Sequence, residues 1–189
     1  MLTIQQKYFN HRPKLQDGDL ILFRGTKILA KIIQHCDRDQ VTKEPAYFNH
    51  IGIVLKTHDA FFIVDSQASG VVADRLSKRI EDYENGDFCV IQSTILSGKT
   101  TELDALLKRQ DINEVLYDYG NGFKELLNRR FGWNLKIKPT DKKDICSDFV
   151  YTYALKKGMI LPFQNRVAFP MDYIRHRNKE QTNLLGYKD

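Results

Sequence analysis

The sequence has little that would staple, anchor or export it. It contains three cysteines, Cys36, Cys89 and Cys146, in 189 residues. An odd number with no CxxC spacing, in a chain long enough to bury its own core, argues against a disulfide framework or a structural zinc site. Reduced thiols are therefore the default. No apolar run approaches the roughly 18 residues of a membrane-spanning helix, so no integral membrane segment is expected. The opening "MLTIQQKYFNHRPK" lacks the charged-then-apolar order of a signal peptide, which makes a cytoplasmic location the default expectation. No repeat, low-complexity tract or linker divides the chain. With 42% hydrophobic residues, one domain spanning residues 1–189 is expected.

Acidic residues are outnumbered, 24 to 29, for a net charge of +5 and a pI near 9.0. That balance favours approach to polyanions such as anionic lipid, nucleic acid or wall polymers. The basic runs "LKIKPTDKKD" and "YIRHRNK" carry no nucleic-acid motif and read as a solvated face, so no specific nucleic-acid partner is expected.

What is present reads first as strands. "LQDGDLILFRG" opens on an Asp-Gly turn, and Leu20 to Phe23 form a short apolar strand ended by Gly25. In "TKILAKIIQHC", Ile28, Leu29, Ile32, Ile33 and Cys36 recur at helical spacing, with Thr26 placed to cap the amino end. "HIGIVLK" from His50, "FFIVDSQ" after the turn "THDA", and "DFCVIQST" are three further strands. Strands that follow one another without long helices predict an antiparallel meander or barrel and an α+β class. The later half turns helical: Leu103, Leu106 and Leu107 fit one face, as do Phe123, Leu126 and Leu127. "DICSDFVYTYALKKG" predicts a helix with Phe149, Val150, Tyr153 and Ala154 on one face and Gly158 as its stop.

Cys146 opens that helix. Unpaired backbone amides at a helix amino terminus favour negative charge and can make a cysteine nucleophilic. The same amides, those of Cys146 and Ser147, would face an oxyanion. Cys36 on a helical apolar face and Cys89 between Phe88 and Val90 are accounted for by packing. A thiolate needs an imidazole to manage its proton and a third group to orient that imidazole. Of five histidines, His11, His35, His58 and His176 lie in a polar terminal segment, on a helix, in a turn and in a basic tail. His50 alone stands at the threshold of a core strand. Across the "THDA" turn, Asp65 is placed to orient it, with Ser66 or Gln67 as alternatives.

These residues resemble a known family. "DICSDFVYTYALKKGMILP" is similar to the nucleophile helix of NlpC-type papain-like cell-wall amidases, and "LQDGDLILFRG" with "FNHIGIVLK" resembles their Gly-Asp and His-hydrophobic-Gly strands. The order is reversed, since the histidine strand precedes the cysteine helix. That order resembles the circularly permuted papain-like group, which includes YiiX-like proteins and the lecithin:retinol acyltransferase relatives. "YDYG" at Tyr117 to Gly120 and "FPMDYI" resemble elements of the YiiX-like branch. Asp148 departs from the Gly or Glu of those patterns, Asn49 stands where Ser is common, and Ile145 replaces the usual Asp before the cysteine.

The resemblance implies a permuted papain-like fold, a sheet or barrel packed on the cysteine helix. It implies Cys146 as nucleophile, His50 as base and Asp65 as orienting residue, with Ser147, Tyr117 and Gln67 as oxyanion or substrate candidates and no metal or other cofactor. The implied activity is a cysteine amidase or peptidase acting on a peptide or cell-wall-type amide, in peptidoglycan peptides by analogy with the wall enzymes. Delivery to the wall or a virion would then be alternative locations, in a phage or bacterial setting. Two rivals stand beside it. One is hydrolysis or transfer of an acyl group on a lipid or lipid-amide; the other is a non-catalytic structural protein assembled into a larger particle.

Overall fold

The computed structural model describes residues 2–37, 46–58, 60–67, 69–100, 116–117, 124, 127–128, 130–131, 134–136, 143–144, 146–159, 169–175 and 182–186. Its centre is a six-stranded antiparallel sheet. The strands are β1 (Leu20–Arg24), β2 (His50–Thr57), β3 (Ala60–Gln67), β4 (Gly70–Arg75), β5 (Asp87–Ser93) and β8 (Thr182–Leu185), in the order β4-β3-β2-β1-β5-β8. The class is α+β, and β2 and β3 pair as an antiparallel hairpin as expected; the strand that follows β3 in the meander is β4, while the expected third strand, "DFCVIQS", is β5 and pairs with β1. The sheet is open rather than closed into a barrel: β4 and β8 are its two edges. A parallel pair, β6 (Leu116–Tyr117) and β7 (Lys143–Asp144), lies outside it.

Strand alternation explains why the apolar runs are continuous. Leu20, Leu22, Ile51, Ile53, Leu55, Val64, Cys89 and Ile91 fall in one core cluster, and Ile21, Phe23, Val54, Ile63, Phe88 and Val90 in another. Successive side chains point to opposite faces of a strand, so a sheet covered on both faces makes every position of "LILF" apolar. The first face carries the helix α4 (Cys146–Lys156), through Val150, Tyr153 and Ala154. The second carries α1 (Ile4–His11), through Ile4 and Tyr8, and α3 (Leu76–Asp82), through Leu76 and Ile80. Each fully buried Leu, Ile or Phe contributes about 1.5–3 kcal/mol.

The Asp-Gly turn is held in place by its backbone and its acids. Gly18 has φ +88, and a Cβ there would fall 2.2 Å from the Leu96 carbonyl oxygen, so only glycine fits. Asp17 accepts from the Lys56 N–H at 2.9 Å and from the Thr100 hydroxyl. Asp19, buried, accepts from the Gln16 N–H at 2.8 Å. At the far end of α4, Gly158 (φ +86) ends the helix as expected: its N–H bonds to Leu155 O and that of Met159 to Ala154 O, closing the last carbonyls.

Other expectations are revised. The helix α2 (Ile28–Cys36) forms, but Lys27 rather than Thr26 occupies its cap position and no side chain caps it. Its apolar face is not core, since Ile28, Leu29 and Ile32 are exposed while Ala30 is buried. Cys36, assigned to packing on that face, is only partly buried. Three elements lie in segments read as polar or terminal: α1, whose Thr3 and Gln6 form a reciprocal capping box, with β4 and α3. Of the leucine- and phenylalanine-bearing helices expected near 103–127, Leu127 alone is among the described residues. The basic run "LKIKPTDKKD" lies mostly outside them, as does His176. Among the described residues no helix is long and apolar enough to cross a membrane.

Two outcomes test this frame. Gly52 sits in β2 where a Cβ would come 2.7 Å from the Ile63 side chain and 3.0 Å from the Asp65 Cβ; Gly52→Ala is expected to lower the unfolding free energy by about 1–3 kcal/mol in urea melts through overpacking. Burial pushes the Asp19 pKa up from 3.8 to about 6, against the Gln16 and Gln92 hydrogen bonds. The folded chain therefore binds a proton that the unfolded chain releases between those values, and this group's contribution to stability falls as pH rises through that window. Asp19→Asn removes the penalty: relative to the unsubstituted protein it should gain on the order of 3 kcal/mol between about pH 4 and pH 7.

Candidate functional site

His50 is the first residue of β2, at the end of the sheet. Its backbone is fixed by the residue before it. The buried Asn49 donates its N–H to Phe23 O at 3.0 Å, and its Oδ1 accepts from the Gly25 N–H at 2.6 Å and from Gln34 Nε2 at 3.1 Å. Asn49, where the family pattern has Ser, thus ties β2 to the end of β1 and to α2. The pairings Phe23↔His50 in β1 and Ile53↔Val64 in β3 set the register. Continued by one and three residues, the second places Gly52 opposite Asp65 and His50 opposite Gln67, all on one face. His50 and Asp65 are then diagonal neighbours across the ladder, and the missing side chain at Gly52 leaves them room to meet.

They do meet. His50 Nε2 and Asp65 Oδ2 are 2.6 Å apart, with the Asp65 side chain fully buried and the imidazole 13% exposed. Asp65 is held from its other oxygen: Gln67 Nε2 donates to Oδ1 at 3.0 Å and Arg79 Nη2 to the same atom at 3.4 Å. Arg79, on α3, also donates to Asp74 Oδ2 at 2.6 Å. A buried carboxylate needs this kind of company, because a lone charge out of water is strongly disfavoured.

With Nε2 engaged by Asp65, Nδ1 is the ring nitrogen left to face a nucleophile. Cys146 lies close enough to His50 to raise the pKa of its ring. It approaches from the other side of the sheet: Cys146 belongs to the cluster under α4, whereas His50 shares its face with Phe23 and Tyr83. The pair forms at the sheet's end, where a ring on one face and a thiol on the other can converge. Cys146 is buried at the first position of α4.

Tyr83, which follows α3, completes the surroundings. Its ring stacks on Phe23 at 4.6 Å and lies nearly parallel to His50, 6.4 Å between centroids. Burial raises the Tyr83 pKa above 10.0, against the pull of His50 and Arg79. For His50, burial disfavours the charge. Its interactions with Tyr83 and Cys146, and the hydrogen bonds to Asp65 and Cys146, outweigh that, and the pKa is raised well above 6.5. The imidazole thereby holds its proton to higher pH than a free histidine does.

The remaining candidates are distributed as follows. Ser147 is fully buried, and the Tyr173 hydroxyl, from α5 (Pro170–Arg175), donates to its carbonyl at 2.7 Å. The helix that holds Tyr173 begins where Asp172 Oδ2 accepts from the Phe169 N–H at 2.9 Å, which gives "FPMDYI" a structural role. The backbone of Tyr117 pairs with Asp144, just before the nucleophile helix; its side chain lies outside the described positions, as does that of Asp148. Gln67 is engaged with Asp65 and supports the carboxylate. Ser66, fully buried, alternates to the opposite face from Asp65. Sequence reasoning missed Arg79 and Tyr83. The signal was there in "LSKRIEDY", where Leu76, Ile80 and Tyr83 recur at helical spacing and Arg79 shares their turn.

Asp65→Asn keeps the shape of the orienting residue and removes its charge, so the His50 pKa is expected to fall in an NMR titration of the ring. The sign for stability follows. A raised folded pKa contributes stability that is fully present below the unfolded value near 6.5 and is lost as pH rises through the folded one. Asp65→Asn should flatten that part of the pH–stability curve, and an unmoved His50 midpoint would remove Asp65 from its role.

No protein-family model and no curated protein sequence matches the chain. Among solved structures it is similar to the crystal structure of the metalloprotein YiiX from Escherichia coli O157:H7, at 17% identity and a TM-score of 0.53, over 92% of this chain and 97% of that one. Among the described residues here, no group of three or more His, Cys, Asp or Glu is placed to hold a metal ion. At that identity the likeness concerns the fold alone, and it places an α+β architecture of the YiiX kind along nearly the whole of both chains.

Proposed function

We propose that the protein is a cysteine amidase or peptidase of the circularly permuted papain-like type, with Cys146 as nucleophile, His50 as acid–base and Asp65 as the orienting group. The observation that carries this reading is the buried 2.6 Å contact between His50 Nε2 and Asp65 Oδ2, with Cys146 in reach of the same ring. The motif resemblance to the YiiX-like branch and the fold likeness to YiiX support it.

In this mechanism the Cys146 sulfur, as thiolate paired with the His50 imidazolium, attacks the carbonyl carbon of an amide. A C–S bond forms and the carbonyl electrons move onto oxygen, facing the Cys146 and Ser147 N–H groups. On collapse the C–N bond breaks, and the proton on His50 Nδ1 passes to the departing nitrogen. Neutral His50 then takes a proton from water, whose oxygen attacks the thioester. The acid leaves and the thiolate–imidazolium pair is restored. Asp65 keeps Nε2 protonated and the ring turned. By the family analogy, a peptidoglycan stem-peptide or cross-link amide is the proposed substrate.

A second reading, acyl hydrolysis or transfer on a lipid or lipid-amide, draws on one observation: Ile28, Leu29 and Ile32 of α2 are exposed, and Leu29 lines the groove beside His50. The same thiolate chemistry would serve it.

Iodoacetamide labelling with peptide mapping tests the nucleophile. Cys146 is expected to react faster than Cys36 and Cys89, and His50→Ala to slow it by about tenfold or more; equal, His50-independent labelling of all three would sink the thiolate pair. Purified wall sacculi test the substrate. New amino termini should appear with the unsubstituted protein and not with Cys146→Ala, and their absence in both would turn the assignment towards lipid or structural roles.

A further inference from the structure

Beside His50 lies a groove of about 600 Å³, within the size range of small-ligand sites. Its floor includes Asn49, His50, Gln67 and Arg79, and its two walls differ in chemistry. One wall is α2, which presents Leu29, Ala30 and Ile33. The other is the end of α3 with the turn after it, which presents Glu81, Asp82 and Glu84 around Tyr83. Lys27 is the single cation at the α2 lip. Leu29 is 55% exposed, so it presents apolar surface at the groove. A larger hollow of about 750 Å³ between α1 and β3 contains neither His50 nor Asp65.

This distribution reverses the expectation from net charge. The chain as a whole is basic, yet the groove beside His50 sets Glu81, Asp82 and Glu84 against Lys27, Arg79 and His50. Its two floor cations are already paired, His50 with Asp65 and Arg79 with Asp65, Asp74 and Asp82, which leaves Glu81 and Glu84 to set the charge at the mouth against Lys27. Local charge, focused by a concave low-dielectric surface, governs what enters a cleft. An anionic wall polymer or lipid headgroup would meet like charge here, whereas a cation would be drawn in.

The position of the groove adds the direction. In amide cleavage by a Cys–His pair, the imidazolium protonates the departing nitrogen, so the leaving amine lies on the histidine side of the scissile bond. The groove abuts His50, and Cys146 is not among its walls.

We propose that this groove is the leaving-group subsite, and that it selects a peptide whose segment on the amine side of the scissile bond joins an apolar side chain to a basic one. The apolar side chain packs on Leu29, Ala30 and Ile33, and the basic group lies against Glu81 and Glu84. This rests on the amidase reading for its direction, and on the groove itself for its chemistry.

Product-like dipeptide amides probe the subsite without knowledge of the acyl group. On titration of the full chain followed by methyl and histidine NMR, leucyl-lysinamide should shift Leu29, Ile33 and His50 and bind at least about tenfold more tightly than leucyl-glutamate amide. Glu81→Lys combined with Glu84→Lys should invert that preference. Equal affinity for the two peptides, or shifts confined to other residues, would overturn the subsite. So would shifts at Leu29 and Ile33 produced by phosphatidylglycerol vesicles but by neither peptide, which would mark a lipid-facing surface. The labelling arm separates the two readings. His50-dependent labelling with no charge preference rejects the subsite alone; charge preference with His50-independent labelling keeps the groove and rejects the amidase.

Discussion

A carboxylate with no access to water, Asp65, organises the site and much of the packing around it. Its charge is tolerable only because three groups from three places converge on it: His50 from the neighbouring strand, Gln67 from its own strand and Arg79 from the helix after the next strand. The same contacts that stabilise the buried anion also fix the imidazole's orientation and supply it with charge. Removing one partner of such a buried group typically costs about 3–5 kcal/mol. The acid–base machinery and the cohesion of the second sheet face are therefore one set of interactions, and natural variation at Arg79 would touch both.

The sheet separates two duties. Its first face packs α4, bringing Cys146 to the strand ends, and its second face packs α3, bringing Arg79 and Tyr83 to His50. Because both faces are covered, the central stretches of β1, β2, β3 and β5 are largely apolar, and two of the breaks are informative. Gly52 is one, giving up a side chain where His50 and Asp65 need space. Asp65 itself is the other, a charge in the midst of "FFIVDSQ".

Those breaks are why part of the site was legible in the sequence. A histidine at the threshold of a core strand, an acid in the paired strand and a cysteine at a helix start are each local signals, and the hairpin turn fixes how the first two relate. The strands β1, β2, β3 and β5 were legible for the same reason, since β-branched and aromatic runs bounded by turns have few other uses. β4 and α3 were not, because "VVADRLSKRIEDY" mixes charges into an amphipathic pattern too short to separate from a polar loop. Of the charges that obscured it, Arg79 is the one that clasps Asp65, and Asp74 in turn holds Arg79. Net charge misled in a different way: it sums over the surface and says nothing of the carboxylates gathered at one cleft. The exposed face of α2 defeated the rule that apolar periodicity means burial.

The order of these parts along the chain has a consequence of its own. His50, Asp65, Gln67, Arg79 and Tyr83 all come from a contiguous stretch whose strands are joined by tight turns, while Cys146 arrives much later on a helix. Emerging from the ribosome amino end first, the chain can assemble the imidazole, its carboxylate and their arginine before the thiol has been made. Cys146 thus joins His50 only when α4 docks on the sheet, late in biosynthesis, and a nascent or truncated product would carry the imidazole and its carboxylate without the thiol.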